Sequence, residues 1–359
     1  MRVLFKTDYG QDIRLFPHGG TVFWYALLGL AVIGAPWVIG EYWQSQLVFV
    51  SIYAMAGVGL MLLSGYTGQI SLGHAAFFAV GAYTETLLLT GGVPFPIALV
   101  AAGLLAGVVG VAIGLPALRL SGIYLAIATL AFAFIVEEIL ARWESVTNGN
   151  NGLTVPAASL GPLVLRPTGA AFYYVAVGVL ILLILGGANL LRSPTGRAFV
   201  AIRDSEIAAQ SMGVNLARFK TVAFAVSAAF TGIAGAFYAH QLQFISPEAF
   251  TLVLSIELLV MIVVGGLGTL HGAVFGAIFI IMLPEVIGVA KDVLPAAVAD
   301  QPGLKTLLFG LIIIGVMLFE PLGIYGRWRK IQVYFDLFPL YRRGTFKRQR
   351  AYLRTERLR

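Results

Sequence analysis

The sequence predicts an all-α protein, a polytopic bundle of about ten transmembrane helices, and three observations support this fold class. Hydrophobic residues make up 59% of the 359 residues and charged residues 11%, against roughly 25% charged residues in an average soluble domain. Apolar runs recur near the length of about 20 residues that a helix needs to cross the hydrocarbon core. Lys and Arg concentrate in a few of the intervening segments and at the C-terminus. The low charge excludes soluble globular folds, because lipid has to cover much of the surface.

Ten candidate spans can be drawn at this length. They cover residues 22–40, 46–63, 72–90, 95–115, 122–141, 170–190, 220–240, 253–267, 271–290 and 304–323. The chain then divides into a tail of residues 1–21, a transmembrane domain of residues 22–325 and a basic tail of residues 326–359. Ser71–His74 and Thr269–His271 each place a His after a Leu in a glycine-rich run. This likeness suggests two inverted halves of five helices.

The distribution of basic residues predicts the orientation, because cytoplasmic segments retain Lys and Arg. With the C-terminal tail inside, ten spans leave 20 of the 24 Lys and Arg on the cytoplasmic side. The remaining four are Arg142, Arg166, Lys291 and Lys305. We therefore expect an even number of spans, both termini in the cytoplasm, a cytoplasmic loop at 191–219 and an external loop at 142–169. The external loop is rich in turn formers, and its alternatives are a plain surface loop, a solute contact or a docking surface for an external partner.

The C-terminal tail combines basic and aromatic side chains. Eleven Lys and Arg lie between Arg327 and Arg359, with Trp328, Tyr334 and Phe335 among the aromatic residues between them. On an apolar chain this composition favours an interfacial segment on anionic lipid over a nucleic-acid-binding arm. A regulatory contact with a partner ATPase is the alternative for the tail.

Several kinds of chemistry are missing from the sequence. There is no cysteine, which excludes disulfides and thiolate chemistry. The four histidines show no metal-ligand spacing, and no serine, histidine and carboxylate form a credible catalytic set, so we expect neither a metal site nor catalytic residues. No G-x-x-x-x-G-K-[ST] motif occurs, so this chain has no phosphate-binding loop of its own.

The loop at 191–219 carries the most informative polar segment. After the breaker cluster Ser193–Gly196, residues 197–212 contain no helix breaker, and Gly213 can cap a helix C-terminus. We expect one short amphipathic helix there, too polar to span, that lies on the membrane or docks into a partner. Its apolar side is predicted to consist of Ala198, Ile202, Ile207, Ala208 and Met212.

Six sequence blocks resemble a known family. The loop residues Glu206-Ile207-Ala208-Ala209 with Gly213 resemble the EAA-type loop of ABC importer permeases. A longer stretch is similar to the signature of the branched-chain amino-acid ABC permease family, LivM branch. It reads Gly65-Tyr66-Thr67-Gly68-Gln69-Ile70-Ser71-Leu72-Gly73-His74-Ala75-Ala76-Phe77-Phe78 and continues to Gly81-Ala82-Tyr83-Thr84. Further matches are Gly122–Phe132, Asn151–Thr154, Ser193–Ala198 and Gly265–Gly272. The resemblance covers roughly residues 45–325, and the basic tail lies beyond it.

The resemblance implies a permease subunit of a bacterial inner-membrane importer for branched-chain amino acids, with urea, amides and aromatic acids as related solutes. It also implies a second, related permease, two ABC ATPase subunits that hold the ATP, and an external solute-binding protein; this chain would bind no cofactor itself. The loop would contact the ATPase through Arg203, Asp204, Glu206, Ala208, Ala209 and Gly213. An ATP-independent channel or secondary carrier is the alternative function.

The solute path has its own candidates. Glycines around residues 65–74 permit unwound backbone, which is tolerated at membrane depth where it is buried or lines a cavity. The candidate path or gate residues are Tyr66, Gln69, Ser71, His74 and Glu257. The alternative for residues 65–74 is a cytoplasmic turn whose hydroxyls are satisfied locally. Glu85, Glu137, Glu138 and Glu285 are the other carboxylates within apolar runs, where a structural hydrogen bond or an interfacial position is the common role.

Overall fold

The computed structural model describes residues 19–117, 120, 122–291, 304–320 and 322–337. The predictions for residues 1–18, Arg119 and 338–359, which include most of the N-terminal tail and the distal basic tail, lie outside the described residues.

The described chain is almost entirely helical. The helices are α1 Gly19–Val38, α2 Glu41–Leu60 with a π-helical extension Met61–Tyr66, α3 His74–Thr90, α4 Phe95–Ala117, α5 Ile123–Arg142, α6 Glu144–Thr147, α7 Ala170–Arg192, α8 Pro194–Asp204, α9 Glu206–Ser211, α10 Leu216–Leu242, α11 Leu252–Gly265, α12 Leu270–Lys291, α13 Leu304–Phe319 and α14 Gly323–Leu337. Single 3-10 turns cover Gly149–Asn151 and Pro247–Phe250, and the short strands are β1 Leu153–Thr154, β2 Ala158–Leu160, β3 Leu163–Leu165 and β4 Phe244–Ile245.

The predicted spans coincide with helices, but not all of these helices are long enough to cross a membrane alone. Within the described residues, seven helices are long and apolar enough to cross, and an eighth is added if α13 and α14, which meet at a 47° bend, form one span. The 17 residues of α3 extend over only about 26 Å, against a hydrocarbon core of about 30 Å. α1 is also short, with its apolar part at Val22–Val38. The chain is therefore a multi-pass membrane protein, and helix length alone supports seven or eight spans rather than ten.

Helices α2 and α10 form the centre of the bundle. In the 18-residue apolar stretch of each helix, 83% of residues are buried within Glu41–Tyr66 and 61% within Leu216–Leu242, but only 22% within Ala170–Arg192. α10 packs against α2, α3 and α4, and α2 also contacts α7 and α12. The outer helices therefore present their apolar side chains to lipid or to another protein.

Backbone contacts at glycines hold α3 against α10. A Cβ added to Gly235 would lie 1.9 Å from the Phe78 carbonyl oxygen, and one added to Gly81 would lie 2.0 Å from the Gly232 carbonyl oxygen. Small residues allow this approach, which matters in lipid because the hydrophobic effect does not favour one apolar contact over another there. The contact between α3 and α10 thus depends on residues without side chains.

A proline in α1 is compensated by α7. Pro36 has no N–H to bond the carbonyl four residues earlier, so the Val32 carbonyl is left without its helical donor. The Tyr173 hydroxyl donates to that carbonyl at 3.0 Å, and the Tyr174 hydroxyl donates to the Ile33 carbonyl at 2.6 Å. These two bonds attach α1 to the bundle, and the first satisfies a carbonyl that lipid would leave unpaired.

The predicted external loop at 142–169 is folded. Strands β2 and β3 form an antiparallel hairpin, and β1 pairs with β4, the strand that follows α10. Asn148 has a left-handed backbone, and its side-chain amide donates to the Gly152 carbonyl at 2.9 Å. The loop is therefore attached to the end of the central helix instead of being a plain surface connection.

The likeness between the two Leu-His stretches does not support inverted halves. The Arg203 guanidinium donates to the Gly65 carbonyl at 3.1 Å and lies 3.2 Å from where a Cβ on Gly268 would be. The chain segments that lead into His74 and His271 therefore lie at one end of the bundle, and both histidines begin a helix there. Inverted repeats would place equivalent positions at opposite ends. We call this end, which carries α8, α9 and α14, the basic end.

Enlarging a glycine between α3 and α10 is expected to destabilise the fold. Gly235→Val should lower the unfolding temperature in detergent and reduce the yield of monodisperse protein, because the new side chain overlaps the Phe78 carbonyl; overpacking of this kind costs about 1–3 kcal/mol or more. Gly178→Val is the control, because nothing lies within 4 Å of a Cβ at that position on α7. Equal stability of the two variants would contradict the packing argument.

Candidate functional site

The polar segment at the basic end folds as two helices, not one. Ser193 caps α8 by accepting from the Thr195 N–H at 3.2 Å. The expected helix over 197–212 is interrupted at Ser205, whose backbone is extended with φ −164° and ψ 116°. Its hydroxyl accepts from the Ala208 N–H at 3.3 Å and starts α9. Serine competes with helical hydrogen bonding in this way, so the sequence contained a break that an apolar pattern does not reveal. Gly213 ends the segment with φ +84°, in agreement with its predicted capping role.

The apolar side chains of this segment point in two directions. Ala198, Phe199 and Ile202 on α8 are buried against the bundle. Ile207 is 83% exposed and Met212 is 85% exposed, and both lie at the outer surface of the basic end. Of the two predicted alanines, Ala208 is exposed and Ala209 is buried. The expected single apolar side is therefore split between a buried anchor on α8 and an outward-facing apolar pair.

Arg203 connects α8 to two breaks in the bundle. It hydrogen-bonds the Gly65 carbonyl in the π-helical end of α2 and lies against Gly268 in the loop between α11 and α12. Its aliphatic part also contacts Gly68, where a Cβ would be 3.1 Å from the Arg203 Cγ. Asp204 is 3.5 Å from the same guanidinium and is mostly exposed. A predicted coupling residue is thus placed where three chain segments meet.

Glu206 connects α9 to the central helix. Its carboxylate lies 2.7 Å from the ammonium group of Lys220, on the first turns of α10. The Lys220 side chain is 4% exposed and that of Glu206 is 40% exposed. A buried ammonium needs a counter-charge, so this pair holds α9 at a defined position on α10. Lys220 was predicted only as the first residue of the span at 220–240, although a lone basic residue at the edge of an apolar run is a signal for a buried ion pair.

The non-helical segment between α2 and α3 buries its polar side chains. Ser71 and His74 are fully buried, and the His74 ring nitrogens lie 3.1 Å from the Ser71 hydroxyl and 2.8 Å from the Ser227 hydroxyl. Gln69 is also buried, and its amide donates to Thr67 at 3.1 Å. In this structure the three predicted path residues fill the packed interior at the basic end.

Hydroxyl groups from other helices complete the start of α3. The Ser255 hydroxyl of α11 accepts from the Ala75 N–H at 2.9 Å, and the Thr129 hydroxyl of α5 accepts from the Leu72 N–H at 3.0 Å. Such bonds satisfy the N–H groups that a helix N-terminus leaves free. Neither hydroxyl was identified from the sequence, because the partners lie 180 and 57 residues away along the chain.

The other two predicted path residues are partly exposed. Tyr66 ends the π-helical turn at the basic end, and its hydroxyl bonds the backbone of Leu270. Glu257 lies on α11, and its carboxylate accepts a hydrogen bond from the Tyr53 hydroxyl of α2. Tyr238 of α10 is next to the same carboxylate and is also partly exposed. The structure therefore forms a small polar cluster of Tyr53, Tyr238 and Glu257 at the edge of the core, of which only Glu257 was predicted.

Two further polar features lie toward the end of the bundle opposite the basic end. Glu85 and His240 are buried and lie 2.7 Å apart, carboxylate oxygen to ring Nε2. An open cavity of about 770 Å³ is lined by Glu137, Glu138 and Glu248, together with apolar residues of α5. Arg142 in the cavity wall pairs with Glu138. Glu85 therefore has a structural partner, while Glu137 and Glu138 face the surface. Among the described residues, no group of three His, Asp or Glu side chains could hold a metal ion.

Comparison with protein families gives a consistent result. The family model described as the permease component of the branched-chain amino acid transport system matches residues 43–317. Both the Gly65–His74 stretch and the α8–α9 segment lie within the match.

Individual relatives extend the same comparison. The high-affinity branched-chain amino acid transport system permease protein LivM of Escherichia coli strain K12 is 34% identical over 327 residues, which cover 84% of this chain and 74% of that protein. The protein of the same name from Salmonella typhimurium strain LT2 is 33% identical over 324 residues, with 83% and 74% covered. A probable branched-chain amino acid transport permease protein LivH from Methanocaldococcus jannaschii is 24% identical over 304 residues, with 80% and 93% covered. No solved structure matches the chain.

Neutralising Glu206 alone is expected to destabilise the chain. Glu206→Gln leaves the buried Lys220 ammonium without its counter-charge and should cost about 1–2 kcal/mol, below the value for a fully buried pair because Glu206 is partly solvated. The double variant Glu206→Gln/Lys220→Met should recover most of that loss. Unfolding in detergent measures both, with the exposed Arg218→Gln as the control, expected within about 0.5 kcal/mol of the parent. A double variant that is no more stable than Glu206→Gln alone would contradict the ion-pair argument.

Proposed function

Because the chain belongs to the family of permease components of the branched-chain amino acid transport system, we propose that it is a permease subunit of an ATP-driven importer in the bacterial inner membrane. One observation carries the ATP-driven part of this proposal: an apolar pair, Ile207 and Met212, is exposed on and just after α9. The ion pair Glu206–Lys220 fixes this short helix to α10, and the hydrogen bond from Arg203 fixes the end of α8 before it. An exposed apolar patch with a rigid support is typical of a protein-docking surface.

The coupling surface consists of α9 and its flanking residues, from Arg203 to Gly213. In this proposal an ABC ATPase subunit contacts Ile207, Ala208 and Met212, while Asp204 and the exposed part of Glu206 lie at the edge of the contact. Movement of the ATPase would reach α10 through Lys220 and would reach the π-helical end of α2 through Arg203. Gly213 supports the surface through its positive φ, which a larger residue adopts only with backbone strain.

Charge distribution supports an orientation with the basic end in the cytoplasm. Arg192, Arg203, Lys220, Arg329 and Lys330 lie on α7, α8, α10 and α14 at or near that end. The folded loop at 142–169 lies at the opposite end, and its basic residues are Arg142 and Arg166. With α1 and α3 counted as spans despite their length, ten spans put both termini in the cytoplasm.

The solute path is proposed to run along the face that carries the cluster of Tyr53, Tyr238 and Glu257. A carboxylate at membrane depth requires polar or aqueous surroundings, and Glu257 is partly exposed. A carboxylate beside two phenols is chemically suited to the ammonium group of an amino acid, with Tyr66 nearer the cytoplasmic exit. Gln69, Ser71 and His74 then support the break between α2 and α3 from behind the path.

The other partners follow from the same proposal. A second permease would cover the exposed side of α11 and complete the path, and similarity to both LivM and LivH proteins is consistent with two related permeases. Two ATPase subunits would bind ATP, and an external solute-binding protein would dock near the folded loop and the acidic cavity at the opposite end. The solute is proposed to be a branched-chain amino acid, as named for the LivM relatives; urea, amides and aromatic acids are the solutes to compare in uptake assays.

Charging the exposed apolar pair is expected to remove the ATPase from the complex. Ile207→Asp/Met212→Asp should abolish co-purification of the ATPase from mild-detergent membranes while leaving the thermal stability of the chain unchanged, because neither side chain packs on the bundle. Leu163→Asp/Val164→Asp is the matched control: these apolar side chains are 51% and 54% exposed on the β2–β3 hairpin. Retention of the ATPase by the first variant, or uptake by the purified chain alone down a solute gradient, would favour an ATP-independent channel or carrier.

Removing the Glu257 charge is expected to impair uptake without uncoupling the ATPase. In proteoliposomes with the partner subunits, Glu257→Gln should reduce leucine uptake by about tenfold, since the loss of one charge-assisted hydrogen bond costs about 1.4 kcal/mol or more. Tyr53→Phe should cause a smaller loss. Glu41→Gln, an exposed carboxylate at the start of α2, is the control. Normal uptake by Glu257→Gln would exclude this residue from the path and leave the coupling surface unaffected.

A further inference from the structure

The basic end contains a groove between α14 and the loop that connects α11 to α12. Its volume is about 410 Å³. Leu267, Leu322 and Val333 form apolar walls, and Arg329 and Lys330 lie at its polar side. The groove therefore combines an aliphatic channel with two cations, and the function proposed above makes no use of it.

The groove is a fixed part of the fold. α14 begins at Gly323 with φ +70°, where a Cβ would be 2.5 Å from the backbone of Gly266, itself at φ +120°. Two residues further along α14, the Tyr325 ring stacks on His271 with centroids 5.4 Å apart, and Phe275 contacts both Tyr325 and Trp328. Backbone contact at one end and aromatic packing along one side hold α14 against α12.

The charges along α14 are unbalanced. Glu320 pairs with Arg327 and lies 4.0 Å from the Lys330 ammonium group, so one carboxylate serves two cations. Among the side chains that the structure describes, no carboxylate lies within ion-pair distance of the Arg329 guanidinium. Arg329 and Lys330 line the groove, and of these two only Lys330 shares a carboxylate among the described side chains, so these two leave the groove positive; a guanidinium is well suited to a phosphate.

The outer surface of α14 is suited to the membrane interface. α14 follows the apolar helix α13 at a bend of 47°. Trp328 is 52% exposed, Ile331 44% and Tyr334 41%, next to exposed Arg327 and Arg329. Exposed aromatic and aliphatic side chains between cations are typical of a helix at the level of the lipid headgroups. The groove thus opens where phospholipid phosphates lie.

We propose that this groove binds the headgroup of one anionic phospholipid. Arg329 and Lys330 bind the phosphate, and the first part of an acyl chain lies along Leu267, Leu322 and Val333. Basic pockets between transmembrane helices on the cytoplasmic side are a recognised way to bind anionic headgroups. This site lies on the described part of the tail, and the remaining basic residues up to Arg359 are not required for it.

The position of the groove connects lipid binding to the coupling surface. Leu267 and Thr269 line the groove, and Gly268 between them contacts Arg203 and donates its N–H to the Met61 sulfur at 3.2 Å. A bound lipid would hold this loop, and with it the support of Arg203. This consequence rests on the proposed function, whereas lipid binding itself does not.

Lipid binding can be measured on the purified full chain without its partners. We expect native mass spectrometry in mild detergent to detect one retained phosphatidylglycerol, and the unfolding temperature to rise with phosphatidylglycerol but not with phosphatidylcholine. Arg329→Gln/Lys330→Gln should weaken phosphatidylglycerol binding by about 10- to 30-fold, since each basic residue at an anionic surface contributes about 1 kcal/mol. Arg329→Lys/Lys330→Arg should retain binding.

Two further variants separate the groove from general electrostatics and from misfolding. Arg192→Gln/Arg218→Gln also removes two positive charges at the basic end, but outside the groove. This variant should leave phosphatidylglycerol binding unchanged. Val333→Trp fills the groove without changing charge and should reduce binding as strongly as the double neutralisation. Unfolding in phosphatidylcholine checks that each variant is folded.

Three outcomes would overturn the proposal. The first is unchanged phosphatidylglycerol binding in both the neutralised and the Val333→Trp variants. The second is equal stabilisation by phosphatidylcholine. The third is equal stabilisation by soluble glycerol phosphate, which would indicate a free-phosphate site. Loss of ATPase binding with normal lipid retention in the Arg329→Gln/Lys330→Gln variant would instead assign this face to the ATPase. None of these results depends on whether the chain transports amino acids.

Discussion

The close approach of backbones around α10 is the constraint on which the rest of the structure depends. In lipid, the hydrophobic effect does not bring helices together, so packing has to come from contacts at short range. Gly232 and Gly235 allow α3 to touch α10 directly, and the break that precedes α3 is satisfied by hydroxyl groups from neighbouring helices. Once this contact is made, the ends of α2, α3 and α10 meet at one place. The α8–α9 segment is built on that place, and α14 is attached to its edge through Gly266 and Gly323.

The buried polar groups serve two purposes. Ser71, His74 and Ser227 form a chain of hydrogen bonds that fixes a non-helical stretch inside the bundle, where unpaired groups would cost several kcal/mol each. The pair Glu206–Lys220 and the bond from Arg203 to Gly65 do something different, because each connects a surface helix to a central one. A force on α9 therefore acts on α2 and α10 together. The proposed coupling to an ATPase would use this property.

Much of the fold was available from sequence because lipid imposes simple rules. Apolar length located the helices, and every predicted span falls on one, from Gly19–Val38 to Leu304–Phe319. One error and one inference that lost its support have physical causes. The break at Ser205 was missed because the sequence alone does not distinguish a serine that caps a new helix from a serine inside a continuous helix. The inverted halves were inferred from two similar stretches, but Arg203 contacts both breaks, so they lie at the same end.

The sequence by itself determined the class of protein, the helical segments, the polar loop and the family, because these depend on local composition and on the order of residues along the chain. Only the tertiary structure decided which polar residues have partners. Glu206 pairs with Lys220, Glu257 with Tyr53, and Glu85 with His240, over separations that no periodicity encodes. It also decided that Ile207 and Met212 face outward while Ile202 is buried. Exposure and pairing are properties of the packed helices, and packing in a membrane is determined by contacts between distant segments.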